Sequence, residues 1–273
     1  MPTHSAARPP HTTPAGSPLN DLVLYEFPLN ERIRVFMRLE QLFLQADHFM
    51  QGNSVWDSRA VIATLLEILA LFSRNDLKSE SLKELDRHAG VFGKLARSQG
   101  IDAAKLSTLL SQLESLSGRL YASAGKIGQP LAENELFKAI AQRSAIPGGT
   151  CPFDLPAYHY WLQQGDALRK RDLEDWLAPF ATIRAAIDLV LNTIRQSGEA
   201  SEEVAPGGFF QKTLDHALPF QLLRVALSKD QACFAEISGG KHRFTIRFMT
   251  SHTNERPTQT NDKIDFQLTC CMV

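Results

Sequence analysis

The hydrophobic period of this chain changes once, near residue 197, and that change limits the fold more than any other feature. From about Asn30 to Ser197, apolar residues recur at steps of three and four, the spacing of one helix face. Leu82, Leu85, Ala89, Phe92 and Ala96 form one stripe, and Leu106, Leu109, Leu113, Leu116 and Leu120 form another. Each covers about two heptads, too few for a long coiled coil, so the pair is expected to pack antiparallel within one subunit. A third stripe, Ile183, Ile187, Leu191 and Ile194, ends the helical stretch. Beyond Leu218 the period falls to two. Leu223, Val225 and Leu227 alternate with polar positions, as do Phe244, Ile246 and Phe248, then Ile264, Phe266, Leu268 and Cys270. One strand-like run, Leu22 to Phe27, precedes the helices; Pro28 stops it and Asn30 can cap the first helix.

The expected fold is therefore α+β. An all-helical domain over residues 29–197 is inserted between an N-terminal strand and a C-terminal small antiparallel β-sheet domain. Residues 22–28 and 208–271 make that β domain discontinuous. Ser197 to Gly208 reads as a polar linker. Residues 1–20 carry five of the 14 prolines and a single charge, Arg8, so they read as a disordered tail. They also lack the apolar core of a secretory signal.

Charge is balanced, with 29 Lys plus Arg against 30 Asp plus Glu, which excludes a bulk polyanion binder. The most apolar helical stretches are broken by Glu67 and by Arg184 and Asp188, so no membrane insertion is expected. The four cysteines, Cys151, Cys233, Cys270 and Cys271, contain no CxxC pair and suit neither a disulfide framework nor a zinc site. The closing Cys270-Cys271-Met272-Val273 looks like a prenylation box but lacks upstream basic support, and a buried strand is the better reading.

Catalysis finds little footing. No GxGxxG, phosphate-binding GxxxxGK[ST], HExxH or GxSxG occurs. Gly239-Gly240-Lys241 sits at a hairpin tip with no helix after it, so it reads as a turn. Cys151 and His159 could be nucleophile and base, but no orienting group or oxyanion donor is evident. No cofactor and no metal are expected.

The hairpin holds the informative chemistry. Alternation turns Phe244, Ile246 and Phe248 inward and Arg243, Thr245 and Arg247 outward, with the two arginines about 13 Å apart. Residues 208–249 contain six basic and three acidic side chains. A solvated sheet face explains such charges. So does an anion-recognition surface, for an acidic peptide or a nucleic acid. The face lacks interleaved aromatics, which disfavours nucleic acid. A nucleic-acid-binding regulator using this Arg-rich strand face remains the alternative reading.

Several segments, taken in order, resemble the ZapD family of bacterial cell-division proteins. They are Leu24-Tyr25-Glu26-Phe27-Pro28-Leu29-Asn30-Glu31, Leu82-Lys83-Glu84-Leu85-Asp86-Arg87, Ile127-Gly128-Gln129, and Ile146-Pro147-Gly148-Gly149 with Phe153-Asp154-Leu155-Pro156. Then come Ile194-Arg195-Gln196-Ser197, Ile237-Ser238-Gly239, Arg243 to Met249, and Asp265-Phe266-Gln267-Leu268 with Cys270-Cys271. The resemblance spans about residues 22–271. It implies a helical domain plus a β domain. It also implies a cytoplasmic, non-enzymatic homodimer, recruited to the mid-cell division ring. There it would bind the C-terminal tail of the tubulin-like polymer FtsZ through a basic groove and bundle its filaments. The residues that match the family's basic pocket are Arg243, Arg247, Arg224 and Arg143, with Lys241, Arg74, His159 and Arg195 as further candidates. Glu135 stands where members of the family can carry a basic residue.

Overall fold

The computed structural model describes residues 21–96, 102–251 and 255–273, so the proline-rich segment 1–20 lies outside the described residues. The chain forms two compact units. One takes the residues up to Phe27, Ala200–Thr213 and Leu223–Thr269; the other takes Pro28–Glu199, Leu214–Leu222 and Cys270–Val273. The architecture is α+β, with an N-terminal strand, a helical middle and C-terminal strands.

The helical unit contains α1 (Glu31–Met50), α2 (Val55–Arg74), α3 (Leu77–Leu95), α4 (Ala103–Ala122), α5 (Gln129–Glu133), α6 (Glu135–Ser144), α7 (Pro156–Leu162), α8 (Asp166–Leu177) and α9 (Ala181–Arg195). Side-chain caps set the starts of α1, α2, α3, α4 and α6. The Asn30 carboxamide accepts from Ile33 N at 3.0 Å, and Ser54 and Asp57 form a reciprocal capping box at α2. Asn134 caps α6, so the helix that reads in the sequence from Glu133 to Ser144 begins at Glu135, and Glu133 instead ends the short α5.

Helix α9 is the spine of this unit. Ile183, Ala186, Ile187, Val190, Leu191 and Ile194 are fully buried, and α9 packs against α1, α3 and α4. Together with α8 it makes a helical run, Asp166–Arg195, long and apolar enough to suit a membrane span. Here that apolar surface is consumed by the core, and Arg184 and Asp188 mark the other side, Arg184 bonding Asp47. Helices α3 and α4 pair antiparallel within the chain: Lys78 donates to the Ser123 carbonyl at 2.6 Å, and Ser117 to Asp86 at 3.5 Å. Cys271 and Val273 are buried in the same helical core, as is Leu222.

The other unit is built mainly from two antiparallel sheets. The strands are β1 (Leu22–Pro28), β2 (Ala200–Ala205), β3 (Phe209–Thr213), β4 (Phe220–Ser228), β5 (Phe234–Gly239), β6 (Arg243–Thr250), β7 (Thr258–Gln259) and β8 (Ile264–Met272). The first sheet has the order β1-β4-β8-β2; the second has β3-β6-β5, with β7 also paired to β6. Phe266 of β8 lies 5.2 Å from Phe210 and 5.0 Å from Phe248, ring centre to ring centre, so the sheets face each other across an aromatic interior. The segment that reads as a polar linker contains β2. Its partner β8 supplies the ladder, pairing Ala200 with Thr269 through Ala205 with Ile264. Tertiary pairing thus decides a strand that its charged residues Glu202 and Glu203 conceal.

Candidate functional site

Strand β6 carries the outward arginines. Phe244, Ile246 and Phe248 are buried, while Arg243 and Arg247 are exposed. Arg243 stands opposite Thr213 of β3; Arg247 stands between Phe209 of β3 and Glu236 of β5. Lys241 is exposed at the hairpin tip. None of these three cations joins an ion pair among the described residues.

Arg224 is different. It sits on β4, in the first sheet, and its Nε donates to Glu26 Oε1 of β1 at 3.0 Å. Its neighbours Leu223 and Val225 are buried on the other side of the strand from Arg224 and Leu222, so alternation turns Arg224 away from the interior between the sheets. Arg224 and the Arg243–Arg247 pair therefore occupy opposite outer faces of this unit.

The remaining four candidates belong to the helical unit. Arg195 is engaged: its two terminal nitrogens each hold a Glu40 oxygen at 2.6 Å. Arg143, at the end of α6, holds Asp154 at 2.6 Å. The Ile-Pro-Gly-Gly turn permits that approach. Gly148 has φ +71, and a Cβ on Gly149 would lie 2.6 Å from the Arg143 carbonyl oxygen. His159 is exposed on α7 and Cys151 is half-buried, and no hydrogen bond joins them, so no nucleophile–base pair is assembled. Among the described residues no three His, Cys, Asp or Glu gather as a metal site.

Arg74, the eighth, closes α2 and opens onto a cleft of about 680 Å³ between α1 and α2. Gln45 donates to Thr64 Oγ1 at 3.0 Å, fixing the antiparallel register of the two helices. That register brings Arg34 and Arg38 of α1 beside Arg74. Met37, Leu42 and Leu71 provide a half-buried apolar floor. Glu31 lies 3.1 Å from Arg34 and 3.9 Å from Arg38, on the outer side. Arg74 has no ion-pair partner among the described residues. Arg34 and Arg38 escape a sequence reading because an i,i+4 basic pair on a helix looks like an ordinary solvated face. The signal lies in the half-polar stripe: Met37 and Leu42, packed at the margin of the core, share that face with the arginines.

A sequence model of the family described as ZapD, cell division protein, matches residues 37–247. The chain belongs to the ZapD family. A relative from Methylococcus capsulatus, named cell division protein ZapD, is 55% identical over 255 residues, covering 93% of this chain and 100% of the relative. Relatives of the same name from Aromatoleum aromaticum and Azoarcus sp. are 40% and 39% identical over 250 residues each, covering 92% of this chain and 97% and 99% of theirs. The family match begins inside α1, just past Arg34, and ends at Arg247, so it covers most of α1, all of α2 and both β6 arginines.

Proposed function

We propose that this ZapD-family protein is a non-enzymatic division factor that binds the C-terminal tail of FtsZ and, as a homodimer, crosslinks FtsZ filaments at the cytoplasmic division ring. The observation that carries this reading is the α1–α2 cleft, where an unpaired Arg74 and two further arginines border an apolar floor. A peptide with carboxylates and a few apolar side chains matches both features. Guanidinium groups give orientation and association rate, and an apolar side chain on Met37, Leu42 and Leu71 supplies most of the affinity.

Arg243 and Arg247 form a second basic surface, able to attract an acidic filament and raise the encounter rate. Arg224, Arg143 and Arg195 already neutralise carboxylates of their own chain and contribute less. One such contact is weak. A two-fold dimer presents each contact twice, and a filament displays its tail on every subunit, so avidity multiplies the single-site affinity.

The test is fluorescence anisotropy with a labelled FtsZ tail peptide. Arg74→Glu is expected to weaken binding at least about tenfold, the range for removing a charge-assisted contact and introducing repulsion. Arg171→Glu, at an exposed arginine of α8, is the control and should bind as the parent does. Equal affinity for the Arg74→Glu variant and the parent would contradict the assignment.

A further inference from the structure

The cleft is electrically bipolar, and this says more about its occupant than the arginines alone. The antiparallel register places Arg34, Arg38 and Arg74 at one end. Beyond Arg38 along α1, Gln41, Leu42 and Gln45 line the other end, where α2 contributes Glu67. Glu67 is exposed and joins no ion pair among the described residues. On α2, Glu67 stands about 10 Å from Arg74 along the helix axis, at the helical rise. The lining stretch of α1, Arg34 to Gln45, is about 16 Å long by the same measure.

We infer that the cleft selects a short peptide segment of divided charge, with carboxylates at one end, apolar side chains in the middle and a cationic side chain at the other end, which Glu67 receives. This rests on the tail-binding reading above and deepens it. A purely acidic peptide would set a carboxylate against Glu67, and like charges brought together disfavour the complex. A divided-charge segment gains at both ends and is held in one direction only, so the cleft fixes the polarity of the bound segment. The apolar floor holds either peptide equally; the two ends discriminate.

The experiment uses the full chain and two synthetic labelled peptides of about 12 residues, enough for some three helical turns along the cleft. Peptide one carries two Glu at one end, Leu, Phe and Ile in the middle, and two Lys at the other end. Peptide two replaces both Lys by Glu. Each is titrated against the parent, Glu67→Lys and Arg74→Glu. Glu67 is exposed on a helix, so its substitution leaves the fold intact, and circular dichroism checks this.

The expected result is a crossing. The parent prefers peptide one by roughly three- to fivefold, the range of an exposed pair turned into a repulsion. Glu67→Lys reverses that preference, and Arg74→Glu weakens both peptides. If Arg74→Glu weakens both while Glu67→Lys leaves the preference unchanged, the divided-charge inference is overturned and the tail-binding reading stands. If Arg74→Glu affects neither, or peptide one does not bind the parent, both are overturned.

Discussion

His88 of α3 is fully buried beside Glu84, with its Nδ1 on the Glu84 carbonyl at 2.8 Å. Its Nε2 has no hydrogen-bond partner among the described residues. Burial is the main reason its pKa falls from 6.5 to about 4, with the Arg87 charge adding to the drop. The folded form resists a proton that the unfolded chain accepts, so this contribution to stability is whole above about pH 6.5 and is lost as pH falls towards 4. The loss amounts to about 3 kcal/mol. Urea midpoints should therefore fall between pH 6.5 and 4.5 in the parent, and much less in His88→Gln; an equal fall in both would contradict the assignment. Glu84 adds a later step. Burial pushes its carboxyl up, but Arg87 and Arg32 outweigh burial and hold it below the usual range. Arg169 is a buried cation, bonded to Ser58 and to the carbonyls of Asn53, Leu162 and Gln164. Arg169→Leu strips three carbonyls of their donor and should cost about 3 kcal/mol by urea unfolding. At this scale the sequence yields exposure but not engagement. Alternation alone exposes Arg243 and Arg247. It cannot pair Arg224 with Glu26, 198 residues away, or Arg195 with Glu40, 155 residues away. Such partners are set by the fold and have no local signature.

Elements with a strong hydrophobic period are readable, because their local signals agree with their tertiary role. Helices α1, α2 and α9 and strands β4, β6 and β8 are of this kind. Strand β2 is not readable, since its Glu202-Glu203 pair gives no apolar alternation and only β8 makes it a strand. The antiparallel sheet domain expected from the alternating strands is built as two facing sheets, because Phe210 and Phe266 lie on separate strands whose meeting no local pattern announces. The cleft is an element-scale property as well: it exists only because α1 and α2 run antiparallel in one register. Helix α9 holds the helical unit together, which gives a direct expectation. Ile187 is fully buried, and Ile187→Ala should lower stability by about 2–5 kcal/mol through lost transfer and the cavity left behind. A change under about 1 kcal/mol in chemical denaturation would show that α9 is not the spine.

At the scale of the whole molecule, the division of labour is between scaffold and contact. The buried apolar residues of both units go to packing, and the surface carries two groups of arginines, three around the α1–α2 cleft and two on β6. Both suit repeated, reversible attachment, and a crosslinker needs nothing else if two copies present them together. Salt should matter strongly for such a protein. Filament association is expected to weaken several-fold between low and physiological ionic strength, because exposed charges are screened beyond about 8 Å. Turbidity or pelleting across a salt series checks this, and salt-independent bundling would argue for an apolar contact instead. The most direct test of the central claim is co-sedimentation with polymerised FtsZ, comparing filaments that keep the C-terminal tail with filaments that lack it. The protein is expected to pellet with the first and to stay in the supernatant with the second. Equal pelleting with both, or with neither, would contradict it.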